Sequence, residues 1–249
     1  MTRMKFMNIE IDNVTMEEAL MRIDYLIKIK KNAYVVTPNV DHIVQIETNS
    51  ELRQVYNDAN LILTDGKPLI WLSKLYGNTI KEKISGSDLF PKLCKMAELK
   101  GYSLYFLGAA PGVAIKAAEN LKVKFPKLRI VGTYSPSMGF ENNRNEIDKI
   151  VSDINKAQPD ILIVALGCPK QELFIYRYRE ALNVPISLGL GATLDFVAGN
   201  IKRSPKWMSN IGLEWLYRTA QDPKRLIKRY FINDMKIFKY IPRYIRSNR

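Results

Sequence analysis

Leu61-Ile62-Leu63-Thr64-Asp65-Gly66 runs four residues suited to a buried strand straight into a carboxylate and a glycine. Lys67-Pro68 and the apolar run Leu69-Ile70-Trp71-Leu72 follow as the start of a helix. In an open α/β sheet, ligands bind outside the carboxyl ends of the strands, so Asp65 stands where chemistry takes place. An ordinary helix N-cap would also account for an Asp at this position.

The flanking segments repeat the same grammar. Ala33-Tyr34-Val35-Val36 is a short apolar strand ending in Thr37-Pro38-Asn39, and Val40 to Tyr56 has helical spacing. Two successive strands therefore deliver polar groups at their carboxyl ends, Thr37 with Asn39 and then Asp65. Upstream, Phe6 to Ile11 reads as a first strand, and Thr15-Met16-Glu17-Glu18 has capping-box form ahead of a helix through about Ile29. Downstream, Tyr102 to Leu107, Arg129 to Gly132, Asp160 to Leu166 and Pro185 to Leu190 read as strands separated by helical stretches. Strands alternating with helices predict an α/β fold, a mostly parallel sheet with helices on both faces.

Composition sets the frame. The chain has 249 residues, 47% hydrophobic and 25% charged, which suits a globular protein with a sizeable core. Two cysteines, Cys94 and Cys168, argue against a disulfide framework or a Cys-based metal site. Met1-Thr2-Arg3-Met4-Lys5 leads into a strand rather than a signal core, and no apolar run reaches about 18 residues. A cytoplasmic protein is expected.

The net charge is +13, and it is unevenly spread. Ile201 to Arg249 holds 13 Lys+Arg against 3 Asp+Glu, a balance of +10, so residues 1–200 carry only +3. Two regions follow: a core at 1–200 and a basic helical appendage at 201–249. After Pro223, the apolar residues Ile227, Tyr230, Phe231, Phe238 and Ile241 fall at helical intervals among Lys and Arg. That pattern fits an amphipathic helix at an anionic membrane surface, or one packed on the body with a solvated basic face. A basic tail also raises a non-enzymatic nucleic-acid-binding module, which the absence of a nucleic-acid-binding motif disfavours. Gly108-Ala109-Ala110-Pro111-Gly112 lies between a strand and a helix, either cradling a phosphate or permitting close packing. It lacks the dinucleotide fingerprint, which weakens an NAD-linked reading.

Eight segments together resemble the WecG/TagA/CpsF family of bacterial glycosyltransferases. They are Thr37-Pro38-Asn39-Val40-Asp41-His42, Thr64-Asp65-Gly66, Ser85-Gly86-Ser87-Asp88-Leu89, and Phe106-Leu107-Gly108-Ala109 with Gly112-Val113-Ala114. Ala165-Leu166-Gly167-Cys168-Pro169-Lys170-Gln171-Glu172, Gly191-Ala192-Thr193-Leu194-Asp195-Phe196, Lys202-Arg203-Ser204-Pro205 and Gly212-Leu213-Glu214-Trp215-Leu216-Tyr217-Arg218 complete the set.

The resemblance implies a Rossmann-like core and inverting transfer of an N-acetylmannosamine-type sugar from a UDP donor. The acceptor would be an undecaprenyl-diphosphate-linked amino sugar at the cytoplasmic membrane face. In the TagA branch the product is the linkage unit of wall teichoic acid; other branches serve enterobacterial common antigen or capsule. It further implies a metal-independent enzyme without cofactor, peripherally membrane-associated, forming homo-oligomers, with the appendage completing the site. Inverting transfer needs a base for the acceptor hydroxyl and positive charge on the departing diphosphate. The sequence has no Asp-x-Asp to hold a metal, and arginine can neutralise a diphosphate directly.

Carried over, Asp65 is the base, with Thr37 and Asn39 lining its pocket, Gln171 on the substrate and Asp195 beside the nucleotide. Arg218, Arg225 and Lys228 would close on the diphosphate, the third being Arg229 if the helix register differs by one. Lys83 stands where the family often has Arg, replacing a bidentate contact with a point charge. Gly108 would contribute to a phosphate cradle. Simpler roles stand beside these. His42 sits inside a helix, where hydrogen bonding or packing suits it. Gln171 could stabilise its helix's first turn, Asp88 and Asp195 could be caps, and Trp207 and Trp215 suit docking of the appendage.

Overall fold

The computed structural model describes residues 3–77 and 79–247, the side chains of Lys206, Asn210, Arg225 and residues 245–247 excepted. The chain opens with an antiparallel hairpin, β1 (Arg3–Phe6) and β2 (Ile9–Asp12), rather than the single strand expected across Phe6 to Ile11. Met7 takes a left-handed conformation, φ 52°, at the turn, a role usually signalled by Gly or Asn. α1 (Met16–Lys28) begins at a complete capping box between Thr15 and Glu18.

After β3 (Ala33–Val36), the helix expected from Val40 to Tyr56 is two helices, α2 (Val40–Thr48) and α3 (Ser50–Asn57). Asn49 divides them with extended backbone, and its side chain accepts the Leu52 amide at 2.9 Å as the cap of α3. β4 (Leu61–Ile62), α4 (Lys67–Leu75) and α5 (Gly86–Lys100) follow. The second half alternates β5 (Ser103–Gly108), α6 (Val113–Lys124), β6 (Arg129–Tyr134) and α7 (Arg144–Ala157). It continues through β7 (Ile161–Ala165), α8 (Lys170–Leu182), β8 (Ile186–Gly189) and α9 (Thr193–Ala198).

β3 to β8 form one six-stranded parallel sheet in the order β4-β3-β8-β7-β5-β6, the α/β Rossmann-like architecture expected. The inner strands β3, β5, β7 and β8 are buried at every residue because helices cover both faces. One core layer joins α1, α5, α6 and α9 to the sheet, and the other joins the hairpin, α2, α3, α4, α7 and α8. The helices after the neighbouring strands β3 and β8 thus leave to opposite faces. This opens a crevice at the carboxyl end of the pair, where α/β sheets bind ligands.

The appendage consists of α10 (Lys206–Asn210), α11 (Glu214–Gln221), α12 (Pro223–Lys228), a π-helical turn at Arg229–Asn233, a 3-10 turn at Asp234–Lys236, and α13 (Ile237–Ser247). Its π and 3-10 turns and α13 lie on α2 beside the crevice, anchored by buried Leu226 and Ile237. Among the described residues no helix is long and apolar enough to cross a membrane.

Candidate active site

Parallel pairing sets the ends of β3 and β4 side by side, with Val36 opposite Ile62. Asp65 N–H donates to the Pro38 carbonyl at 2.8 Å, stitching the two strand-end loops together. The buried Thr37 hydroxyl donates to the Gly189 carbonyl at 3.2 Å, fixing the mouth of β3 to β8. Ile84 N–H, donating to the Thr64 carbonyl at 2.8 Å, brings the Lys83 loop to the same edge. Gly66, at φ +100°, then lets the chain turn from Asp65 into α4.

Burial pushes the Asp65 carboxyl up to about 6, and the Glu214 carboxylate pushes the same way; Lys83, Arg218 and His42 oppose them. Glu214 and Arg218 both come from α11, so the appendage sets the field around the strand-end carboxylate. They are four residues apart and share a helix face. The Arg218 guanidinium also sits 5.5 Å from the Phe196 ring centre, beside Asp195 in the first turn of α9. Tyr230 joins this group: burial raises its hydroxyl pKa, under the fields of Arg218, Arg229, Asp234 and Asp65.

Below Asp65, Asn39 caps α2. Its side-chain oxygen accepts the Asp41 amide at 3.1 Å, lies 2.8 Å from His42 Nδ1, and accepts Arg229 Nη2 at 3.1 Å. Arg229 Nε lies 3.5 Å from Asp41 Oδ2. The other His42 nitrogen, Nε2, faces Glu172 Oε1 at 3.4 Å. Burial alone would neutralise Glu172, but the bond to and charge of His42 outweigh it and hold the carboxyl below its usual range. Gln171, also buried, donates to Glu172 Oε1 at 2.8 Å and accepts Gly191 N–H at 3.0 Å. Its amide thus orients the loop after β8, and Gly189 leaves room for it: a Cβ there would lie 3.2 Å from Gln171 Nε2.

His42, Cys168 and Glu172 form a group that could hold a metal ion, with ligand atoms within 4.8 Å of one another. The Arg229 charge acts on Cys168 and makes that locus unfavourable for a second cation.

Lys83 is 2.8 Å from Asp88 Oδ2, and Arg203 pairs with the other Asp88 oxygen. Despite burial, these two cations and Ser85 hold Asp88 at about 2. Gly108 has a packing reason to be glycine: at φ +113° an added Cβ would sit 2.4 Å from the Ala165 carbonyl oxygen. Asp195 is partly buried, and its carbonyl accepts the amides of Asn200 and Ile201 as the chain leaves the core. Lys228 faces outward, whereas Arg229 turns in; the Arg225 side chain lies outside the described residues. The structure thus gathers Asp65, Thr37, Asn39, Lys83, Gln171, Asp195 and Arg218 around one crevice. It adds Glu214, Arg229, Tyr230 and Glu172. The four-residue spacing of Glu214 and Arg218 could have signalled the first of these.

A part-buried carboxylate at a strand end, under the field of cations from the appendage and at the switch point of a parallel sheet, is the arrangement of an α/β group-transfer enzyme. The chain belongs to the WecG/TagA/CpsF family of glycosyl transferases, whose sequence profile matches residues 4–249. It is 36% identical over 196 residues to the N-acetylglucosaminyldiphosphoundecaprenol N-acetyl-beta-D-mannosaminyltransferase of Bacillus spizizenii, covering 78% of this chain and 74% of that one. It is 34% identical over 207 residues to the Bacillus subtilis protein of the same name, covering 82% and 78% respectively. Of the two readings of the basic tail, the enzyme stands.

Proposed function

We propose that this glycosyltransferase moves N-acetylmannosamine from UDP to N-acetylglucosamine carried on undecaprenyl diphosphate, with inversion, in teichoic acid or related surface-polymer synthesis. The names of the two Bacillus relatives, which specify transfer to N-acetylglucosaminyldiphosphoundecaprenol, support the acceptor. The single observation that carries the mechanism is Asp65, a carboxylate at the strand end tied to the Pro38 carbonyl, raised to about 6 by burial and under the field of Arg218.

In the proposed step, the acceptor hydroxyl oxygen attacks the anomeric carbon as its proton passes to Asp65. The bond from that carbon to the UDP oxygen breaks, and UDP leaves with the electron pair. A carboxylate of pKa near 6 is ionised at neutral pH yet basic enough to share the proton in the transition state. Arg218 and Arg229 neutralise the charge that develops on the diphosphate, a task many transferases give to a metal. We read the reaction as metal-independent on the strength of these cations and the missing Asp-x-Asp. The appendage exposes Trp207, Ile211, Phe231, Ile232 and Phe238 among basic side chains, which supports peripheral docking on the inner, anionic membrane face.

Mass analysis after incubation with UDP-N-acetylmannosamine and a lipid-diphosphate-linked N-acetylglucosamine tests the reading. The expected product is the disaccharide lipid, formed in EDTA, and Asp65→Asn abolishes it while retaining UDP binding. Full transfer by Asp65→Asn would remove Asp65 as the base.

A further inference from the structure

The reaction proposed above involves two diphosphates, one on the departing nucleotide and one on the lipid that carries the acceptor sugar. In-line displacement sends the leaving group away from the face the nucleophile attacks, so the two anions approach the anomeric carbon from different sides. The cations form two groups to match. Arg229, from the π-helical turn, is bonded to Asn39 at the cap of α2, and Arg218, from α11, lies against the Phe196 ring of α9, so this pair lines the crevice beyond β3 and β8. Lys67, Lys83 and Arg203 line a separate cleft of about 460 Å³ among α4, the Lys83 loop, α5 and the start of α10.

We propose that this second cleft receives the diphosphate of the lipid-linked acceptor. Besides the three cations it is lined by Ser204 and Ser209, and by Glu82 and Asp88, so its charge is positive by one. Both carboxylates are occupied. Glu82 accepts the Met16 amide at 2.8 Å, and Asp88 holds Lys83 and Arg203. Among the described residues Lys67 has no carboxylate partner. It stands in the first turn of α4, whose cap Gly66 supplies no side-chain bond to the helix amides. An anion in the cleft gains from that helix terminus as well as from Lys67 and Arg203.

The cleft adjoins the base. Lys83 acts on Asp65, and Ser209 Oγ donates at 3.3 Å to Glu214, the carboxylate that raises the Asp65 pKa. On its outer side it is rimmed by apolar surface. Gly212 packs so closely on α4 that a Cβ would meet the Trp71 ring at 2.6 Å and Lys67 Cβ at 3.2 Å. Trp71, Leu75, Trp207 and Ile211 all remain more than 50% exposed around this junction. A diphosphate seated on Lys67 and Arg203 would place its sugar toward Asp65 and its prenyl chain along that rim.

Calorimetric titration of the full chain tests this with two soluble probes, UDP and farnesyl diphosphate. Farnesyl diphosphate is expected to bind with UDP already at saturation. Lys67→Ala with Arg203→Gln should weaken it about tenfold while UDP affinity holds within about twofold. Lys67→Ala alone, which breaks no ion pair among the described residues, should weaken it in the same direction without perturbing the fold. In turnover, the acceptor KM should rise and the donor KM stay put. Competition between the two probes in the unaltered protein would overturn the proposal, as would a loss of UDP affinity matching that of farnesyl diphosphate. Because the binding arm needs no turnover, a wild-type protein that binds both probes yet transfers no sugar would fault the reaction, not the cleft.

Discussion

Arg229 donates from Nη2 to the Asn39 side-chain oxygen at 3.1 Å, a contact between residues 190 positions apart. It ties the π-helical turn of the appendage to the cap of α2, at the mouth of the strand beside the one that delivers Asp65. The same guanidinium keeps its Nε 3.5 Å from Asp41, so both charge and direction are fixed before substrate arrives.

Arg229→Ala should therefore cost more than Lys228→Ala. A charge-assisted contact to a diphosphate is worth about 1.5–3 kcal/mol, or ten- to a hundredfold in kcat/KM. Lys228 points to solvent, and its removal should cost at most a fewfold through the general field. Steady-state kinetics with UDP-N-acetylmannosamine separates them; equal losses would refute the inward assignment of Arg229.

Asp65 makes activity depend on pH in a stated direction. As the proposed base it acts in its ionised form, so kcat/KM should climb about tenfold per pH unit below 6 and level off above. The same shift lowers stability. A folded-state pKa raised from 3.8 to about 6 means the folded protein binds the extra proton, so stability falls as pH rises through that window and stays lower above it. Asp65→Asn should abolish transfer yet raise the melting temperature at pH 7, by about 1–3 kcal/mol of stability. A lower melting temperature would contradict the burial argument.

Gly108→Ala should be destabilising rather than selectively damaging to nucleotide binding. The added methyl would strike the Ala165 carbonyl oxygen at 2.4 Å, and φ +113° strains any side chain. A loss of about 2–4 kcal/mol in a denaturant melt is expected, by overpacking and backbone strain together. A normally stable variant with impaired UDP affinity would instead favour the phosphate cradle.

Much of this was legible because the signals are local. Apolar runs bounded by Gly, Pro or Asn mark β3, β5, β7 and β8, and the Thr15-Glu18 box marks the start of α1. Features that depend on tertiary context were not. The hairpin turn uses Met7, whose side chain is buried, so packing overrides its reluctance to adopt positive φ. Asn49 interrupts a helical apolar period that continues on both sides, and periodicity cannot register a cap within it. The inward basic residue is Arg229 and not Lys228; the two are neighbours in a basic helical stretch, and only the tertiary contact of Arg229 with Asn39 decides between them. Gln171 was legible as a polar residue opening a helix; that it faces Glu172 and Gly191 follows only from β7 lying beside β8.

Glu172 is fully buried and ionised, and His42 is the reason. The imidazole spans from Glu172 Oε1 to the Asn39 oxygen, so the pair orients the residue that meets Arg229. Removing one partner of a buried pair leaves the other uncompensated, at a cost of about 3–5 kcal/mol. His42→Ala should thus destabilise severely, whereas Glu172→Gln keeps the shape and one hydrogen-bond acceptor and should lose less. The sign with pH is the reverse of that for Asp65. A carboxyl held below its unfolded pKa adds stability at neutral pH and loses it as acid protonates the folded state. Glu172→Gln should consequently flatten the acid limb of the melting curve while leaving the rise of kcat/KM through pH 6 in place. If that rise moved with Glu172→Gln, the titrating group behind it would be Glu172 and not Asp65.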